Sequence, residues 1–170
     1  MSRVIAALGL VLLLSCGKSP EPVSTASFRA ADTPIYSAAV VDDSRLVGHW
    51  HQVVAFAPNG QTDCTSGDLD ISRGAGGGLQ ALWDLCLAAG RVDGQGPMQM
   101  VKPGRYDLAL MPTWWILWVD ADYRTLVIGT PSGQLGLVLN RDTVLPADRL
   151  KAAGDILRFN GYDLDAMKVF

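Results

Sequence analysis

The chain has little charge and no excess of the basic kind. Charged residues make up 18% of its 170 positions, with 14 basic against 17 acidic side chains. That balance offers no cationic footprint for a nucleic acid. With 49% hydrophobic residues, the chain is too apolar to stay disordered. No apolar run reaches the roughly 20 residues that a membrane-spanning helix needs. Its 18 Gly and 9 Pro follow no collagen period, and no internal repeat appears. No Ser-His-Asp set, phosphate loop or paired-carboxylate motif is present either. What remains is one folded domain, with apolar material for a core or a sizeable cavity.

The first residues read as an address rather than as structure. Arg3 supplies a positive charge, and the uncharged run Val4 to Leu14 follows. That is the size and order of a secretory signal peptide. The run ends Leu13-Leu14-Ser15-Cys16, which resembles the lipobox of bacterial lipoproteins. The resemblance implies cleavage after Ser15 and acylation of Cys16, with residues 1–15 removed. Several acyl chains on one residue anchor a protein stably, whereas one does so only reversibly. Gly17, rather than Asp, follows the cysteine, which implies the outer membrane, at its periplasmic face. Residues 16–43 are rich in Ser, Pro, Ala and Thr and read as a flexible tether. Ile35, Tyr36, Val40 and Val41 are its only candidates for packing across an end of the domain, which spans residues 44–170.

From residue 46 the dominant period is two, the period of strands. The expected strands are His49 to Phe56, Cys64 to Ile71, Leu79 to Leu87 and Met98 to Val101. Arg105 to Met111, Trp114 to Val119, Arg124 to Thr130 and Gln134 to Asn140 follow, all separated by short turns. Eight short strands joined this way predict an all-β fold: an antiparallel up-and-down barrel. Helical periodicity appears once, after Pro146, with Leu150, Ile156, Leu157 and Phe159 on one face and Asn160-Gly161 as the stop. A short last strand, Met167 to Phe170, is placed to pair with the first.

Alternation also places two cysteines. With Cys16 acylated, Cys64 and Cys86 remain as a pair in an oxidising compartment. Both fall on the outward face of their strands, opposite Leu69 and Ile71 and opposite Leu79 to Leu85. A hairpin centred near Ala75 sets Cys64 across from Cys86, which predicts a cross-strand disulfide on the outside of the sheet.

Three short motifs name a family. Gly48-His49-Trp50 resembles the Gly-x-Trp signature of the lipocalins, and Asp120-Ala-Asp-Tyr123 resembles their Asp-x-x-Tyr motif. Arg141 stands where lipocalins place the arginine that packs over the signature tryptophan. The lipobox and Gly161-Tyr162-Asp163 point to the bacterial lipocalins, relatives of apolipoprotein D. The resemblance implies an eight-stranded barrel with one C-terminal helix, floored by Trp50 and Arg141. His51 departs from the pattern, since bacterial relatives carry Tyr there. The loop from Ala57 to Asp63 is a short lid, which predicts an open mouth.

Parity then lists what faces the cup. If Trp50 points inward, so do Gln52, Val54 and Phe56. Leu79, Ala81, Trp83 and Leu85 join from the third strand, Met98 and Met100 from the fourth, Tyr106, Leu108 and Leu110 from the fifth. In the sixth, both faces are apolar: either Trp114 and Trp118 face in, or Trp115 does. Whatever stays outside forms an apolar patch, a contact for membrane or for a second copy in a homodimer. Lys102 and Arg105 are candidates to meet an acidic head group at the mouth.

These expectations describe a binding protein: a membrane-anchored lipocalin holding a fatty acid or lysophospholipid for storage, transport or envelope maintenance. The rival is an envelope lipoprotein whose barrel is filled and whose outer surface works. No enzyme activity and no cofactor are expected. His49 and His51 share one outward face, but two histidines without a third ligand in sequence do not make a metal site.

Overall fold

The computed structural model describes residues 27–170. The leader, the lipobox and Cys16 lie outside them. Nine strands form one sheet. They are β1 (Gly48–Phe56), β2 (Asp68–Arg73), β3 (Leu79–Leu87), β4 (Gly90–Lys102), β5 (Arg105–Leu108), β6 (Trp114–Val119), β7 (Thr125–Gly129), β8 (Gly136–Asn140) and β9 (Met167–Val169). Each of β2 to β7 pairs antiparallel with the next. β1 then closes the ring by pairing with β8 on one edge and β2 on the other. Where β2 leaves off, β9 takes over that edge of β1, pairing Val54 with Val169. The expected closed eight-stranded barrel is therefore present, with one further strand.

Facing alternates along β2 and most of β3, and bulges interrupt the register in β1, in β6 and, between Met100 and Lys102, in β4. β1 carries a bulge between Gln52 and Val54: Gln52 stands opposite Leu139, but Val54 stands opposite Val138. An extra residue in one strand reverses the facing of everything after it. Val54 and Phe56 consequently leave the barrel interior and join the outer cluster with Val127, Val138, Leu157 and Tyr162. A second bulge lies in β6 between Ile116 and Trp118. It removes the choice that parity posed: Trp114 and Ile116 face in, and Trp115 and Trp118 both face out. Trp115 is covered by the Arg105 guanidinium, 3.6 Å from the ring centre, and Trp118 packs into the outer cluster, so neither forms a bare apolar patch.

Helix α1 (Asp43–Leu46) precedes β1, and helix α2 (Ala147–Phe159) lies outside the barrel. Ala153 and Leu157 bury α2 against the outer face of β6 and β7. Gly161, at φ 85°, ends it in the left-handed conformation that glycine adopts without strain.

The expected tether is corrected from residue 28 onward. Phe28 is buried against Phe56, and Arg29 is buried with its guanidinium donating to the carbonyls of Asn160, Pro131 and Thr33. Ala38 donates to Ile116, extending β6 beyond the short β5, and Asp42 donates to the Tyr123 hydroxyl. Buried apolar and hydrogen-bonded groups hold this stretch to the domain as firmly as any loop.

Candidate functional site

Up-and-down connection puts the chain entering β1 and the β2–β3, β4–β5 and β6–β7 turns at one end of the barrel. The other four connections lie at the opposite end. The first end is closed by the residues that carry the lipocalin resemblance. Trp50 is fully buried and its indole donates to the Leu46 carbonyl at 2.8 Å. The Arg141 guanidinium stacks on it at 3.6 Å and donates to the carbonyls of His49, Arg45 and Val47. Gly48 has φ 118°, and a Cβ there would stand 2.8 Å from the Arg141 guanidinium, so only glycine fits beneath it.

Asp120 and Tyr123 build the β6–β7 turn. The Asp120 carboxylate accepts from the backbone N–H of Arg124 and Thr125, both at 2.6 Å, and from the Arg124 side chain at 3.0 Å. Burial pushes the Asp120 pKa up, but the Thr125 and Arg124 hydrogen bonds outweigh it and hold the group below its ordinary value. Tyr123, at φ 56°, turns its carbonyl to Arg141 and its hydroxyl to Asp42. Tyr106 donates to Asp43 at 2.6 Å; burial and that carboxylate raise its pKa far above the usual phenol.

The barrel interior itself is filled. Leu79, Trp83, Leu85, Met98, Tyr106, Leu108 and Trp114 lie inside with Trp50, and no member of this buried cluster is more than 5% exposed. Met100 shares their facing, but it lies beyond the last β3–β4 pair, Leu79 with Met98, and is 43% exposed. Leu110 leaves the set altogether. It sits in the β5–β6 loop at φ 62° and is 94% exposed.

Among the described residues, two groups inside the barrel find no partner. The indole N–H groups of Trp83 and Trp114 are buried without an acceptor. Trp114 begins β6 opposite Tyr106, and Trp83 stands opposite Leu69 in the middle of β3. Trp83 lies flat over Gly94, whose missing side chain makes the room: a Cβ there would be 2.6 Å from the ring. β5 pairs only with Met98 to Lys102 of β4, so beside Trp83 the edge of β4 carries no neighbour.

The disulfide joins Cys64 to Cys86, as the cysteine count predicts, but not by the expected register. β2 begins at Asp68, and Asp68 opposes Asp84, so the hairpin centres at Gly76 rather than Ala75. Cys64 therefore lies in the loop, not in the strand, and Cys86 is wholly buried beneath that loop. The β1–β2 connection is accordingly residues 57–67, longer than the expected lid and pinned at both ends of its last stretch. Gln52, buried inside, completes the seal: its amide donates to the Cys86 carbonyl at 2.7 Å and accepts from the Cys86 N–H at 2.8 Å. A side-chain amide thus replaces the backbone pairing that β2 is too short to supply.

Lys102 and Arg105 stand outside the barrel interior, beside Pro112 and Thr113 of the β5–β6 loop and Thr130 and Ser132 of the β7–β8 loop. They flank the β4–β5 turn and line an outer groove of about 420 Å³ with Trp115 and Pro131. A second outer groove, about 550 Å³, crosses β2, β3 and β4 and is lined by Asp68, Asp70, Leu82, Asp84, Arg91 and Asp93. His49 and His51 stand beside it: Asp68 Oδ1 lies 2.7 Å from His51 Nδ1 and 3.2 Å from His49 Nε2, and Asp70 Oδ1 lies 2.9 Å from His49 Nδ1.

Solved structures share this architecture. The major allergen Per a 4 from cockroaches superposes with a TM-score of 0.59 at 15% identity, over 82% of this chain and 94% of its own. The fold is a lipocalin fold. Insecticyanin from the tobacco hornworm Manduca sexta matches at TM-score 0.57 and 12% identity, over 81% of this chain and 84% of that one. The siderocalin Ex-FABP, described as functioning through dual ligand specificities, matches at TM-score 0.53 and 16% identity, over 74% and 93%. Residues 98–170 also match the family model of the lipocalin-like domain, which covers the barrel from Met98 through α2 and β9. None of the curated protein sequences matches the chain. The lipocalin fold is one suited to binding small hydrophobic ligands, and here its floor is built and its interior apolar.

Proposed function

We propose that this protein is a lipid-anchored binding protein of the bacterial envelope. In this reading the barrel takes a small hydrophobic molecule that carries a hydrogen-bond acceptor, such as a fatty acid or a lysophospholipid. The observation that carries it is the pair of unpartnered indoles. A buried N–H without an acceptor costs roughly 1–3 kcal/mol, and Trp83 and Trp114, both members of the apolar interior, carry one each. Trp50 and Tyr106, by contrast, are satisfied by the protein. A carboxyl or ester oxygen reaching Trp83 or Trp114 removes the penalty while its chain occupies apolar surroundings.

Binding requires the filled interior to yield. Trp83 sits where β4 has a free edge and glycine in place of a side chain, so it is the plug that moves. The disulfide and Gln52 keep the rest of the mouth in place. The Leu13-Leu14-Ser15-Cys16 run supports export and acylation of Cys16, holding the domain at the outer membrane. Cys16→Ala should then release the protein from membranes; retention without acylation overturns the anchor.

A second reading is favoured by the packing: the interior side chains, none more than 5% exposed, are the core of a scaffold whose outer surface meets partners. One titration separates the two. Oxidised protein is titrated with a fatty acid and a lysophospholipid while tryptophan fluorescence is followed. Saturable one-to-one binding at about micromolar concentration or below establishes the carrier. No binding by a protein with an intact β spectrum establishes the scaffold.

A further inference from the structure

The chain has only two histidines, and the barrel sets both on one patch of its outer wall. His49 and His51 are two apart on β1, so their rings leave the same face, 4.5 Å apart between centres. β2 brings carboxylates opposite them, with His49 paired to Asp70 and His51 to Asp68. One oxygen of Asp68 lies 3.2 Å from His49 Nε2 and 2.7 Å from His51 Nδ1.

We infer that His49 Nε2, His51 Nδ1 and Asp68 Oδ1 form a binding site for Zn2+. Two imidazoles and a carboxylate are the donor set of three-ligand zinc sites, which leave the fourth position open. Ligand atoms of tetrahedral zinc stand about 3.3 Å apart, given bonds of about 2.0–2.1 Å. The His49 contact has that spacing, and the His51 contact needs to open by a few tenths of an ångström. Asp68 Oδ1 already faces a ring nitrogen of each histidine, and a metal ion would sit among these three atoms.

A second observation points the same way. His49 turns its other nitrogen, Nδ1, to Asp70 Oδ1 at 2.9 Å. A carboxylate behind a ligating histidine sets the ring tautomer and orientation and raises its basicity. Asp70 is therefore a positioning residue, not a ligand. The sheet supplies the rigidity: β1 and β2 are locked in register, and ligands on adjacent strands of a closed barrel cannot drift apart. Asp68 and Asp70 also line the acidic groove over β2 to β4, where Asp84 and Asp93 add negative charge and Arg91 is engaged by Asp84 at 2.6 Å. The site is independent of what the barrel interior holds.

The test uses the full-length chain, purified with the disulfide intact and titrated with ZnCl2 by calorimetry. One saturable site with Kd below about 10 μM is expected. His51→Ala and Asp68→Asn should each weaken it at least 100-fold, and Asp70→Asn should weaken it roughly 10–100-fold while leaving the three ligands. Co2+ in place of zinc should give the intense visible absorption of four-coordinate cobalt, lost in His51→Ala. Because all these residues are on the outer wall, circular dichroism should match wild type. The wild-type protein gives a check that needs no variant: Zn2+ must shift the ring resonances of both histidines in NMR. No binding by 1 mM, roughly, binding that survives His51→Ala, or a histidine ring left unperturbed overturns the site.

Discussion

The Arg141 guanidinium lies 3.6 Å from the centre of the Trp50 ring and seals the floor of the barrel. It also donates to the carbonyls of His49, Arg45 and Val47. Lysine keeps the charge but loses both the flat stack and the fork of donors. Arg141→Lys should lower unfolding stability by about 2 kcal/mol and Arg141→Ala by about 3 kcal/mol. Gly48→Ala should cost a comparable amount, because its Cβ meets that guanidinium and its φ of 118° strains any side chain. Urea midpoints of the three variants decide this; values within 0.5 kcal/mol, roughly, of wild type would show that the floor is sealed by something else.

Asp120 makes stability depend on acid. Its folded-state pKa lies below the ordinary aspartate value, since hydrogen bonds from Thr125 and Arg124 outweigh burial. The carboxylate therefore stabilises the fold above the unfolded value, about 3.9, and that contribution disappears as pH falls through the lower folded value. Denaturant midpoints measured from pH 6 down to about 2 should drop for wild type and drop less for Asp120→Asn. The variant should also be less stable at neutral pH, by roughly 1–3 kcal/mol, because asparagine answers only part of the three hydrogen bonds. Parallel pH profiles for the two proteins would refute the assignment.

Reduction of Cys64–Cys86 should be costly. The bridge closes a loop with a sequence separation of 22, for which the unfolded chain loses about 3 kcal/mol of freedom. Cys86 is wholly buried and Cys64 is not, so Cys86→Ser should destabilise more than Cys64→Ser. Thiol titration of the oxidised domain should find neither cysteine free. Equal stability with and without reductant contradicts the prediction.

Trp83 and Gly94 form a matched pair across β3 and β4. Gly94→Ala places a methyl 2.6 Å from the indole and forces the ring to move. Such overpacking costs about 1–3 kcal/mol and should shift the tryptophan emission. Under the proposed function, the same variant should alter fatty-acid affinity, since it acts on the plug. An unchanged spectrum would mean that Trp83 is not held there.

Tyr162 ties the C-terminal segment to the β7–β8 loop. Its hydroxyl accepts from Thr130 N–H at 2.8 Å and donates to the Leu135 carbonyl at 2.6 Å, and burial raises its pKa. Tyr162→Phe leaves both groups buried without that partner and should cost about 1–3 kcal/mol in thermal or urea unfolding. A variant as stable as wild type would show that these groups find other partners.

Much of this architecture is local, and local chemistry is legible in a sequence. Alternation and turn residues determine the strands: β3 and β6 begin and end where period two and the flanking turns place them. Gly48, Trp50, Asp120, Tyr123 and Arg141 announce the floor because a left-handed glycine, a turn carboxylate and a stacked guanidinium each demand one residue type. The pairing of Cys64 with Cys86 follows from parity of count. Facing does not follow, because a bulge is one unpaired residue that only the neighbouring strand reveals. Val54, Phe56 and Trp118 leave the interior for that reason alone. The hairpin register that buries Cys86, the docking of Phe28 and Arg29, and the Asp68 carboxylate beside His49 and His51 are likewise contacts between distant segments. Whether the barrel is hollow or filled is a matter of volume, and volume exists only once Trp83 has found the space above Gly94.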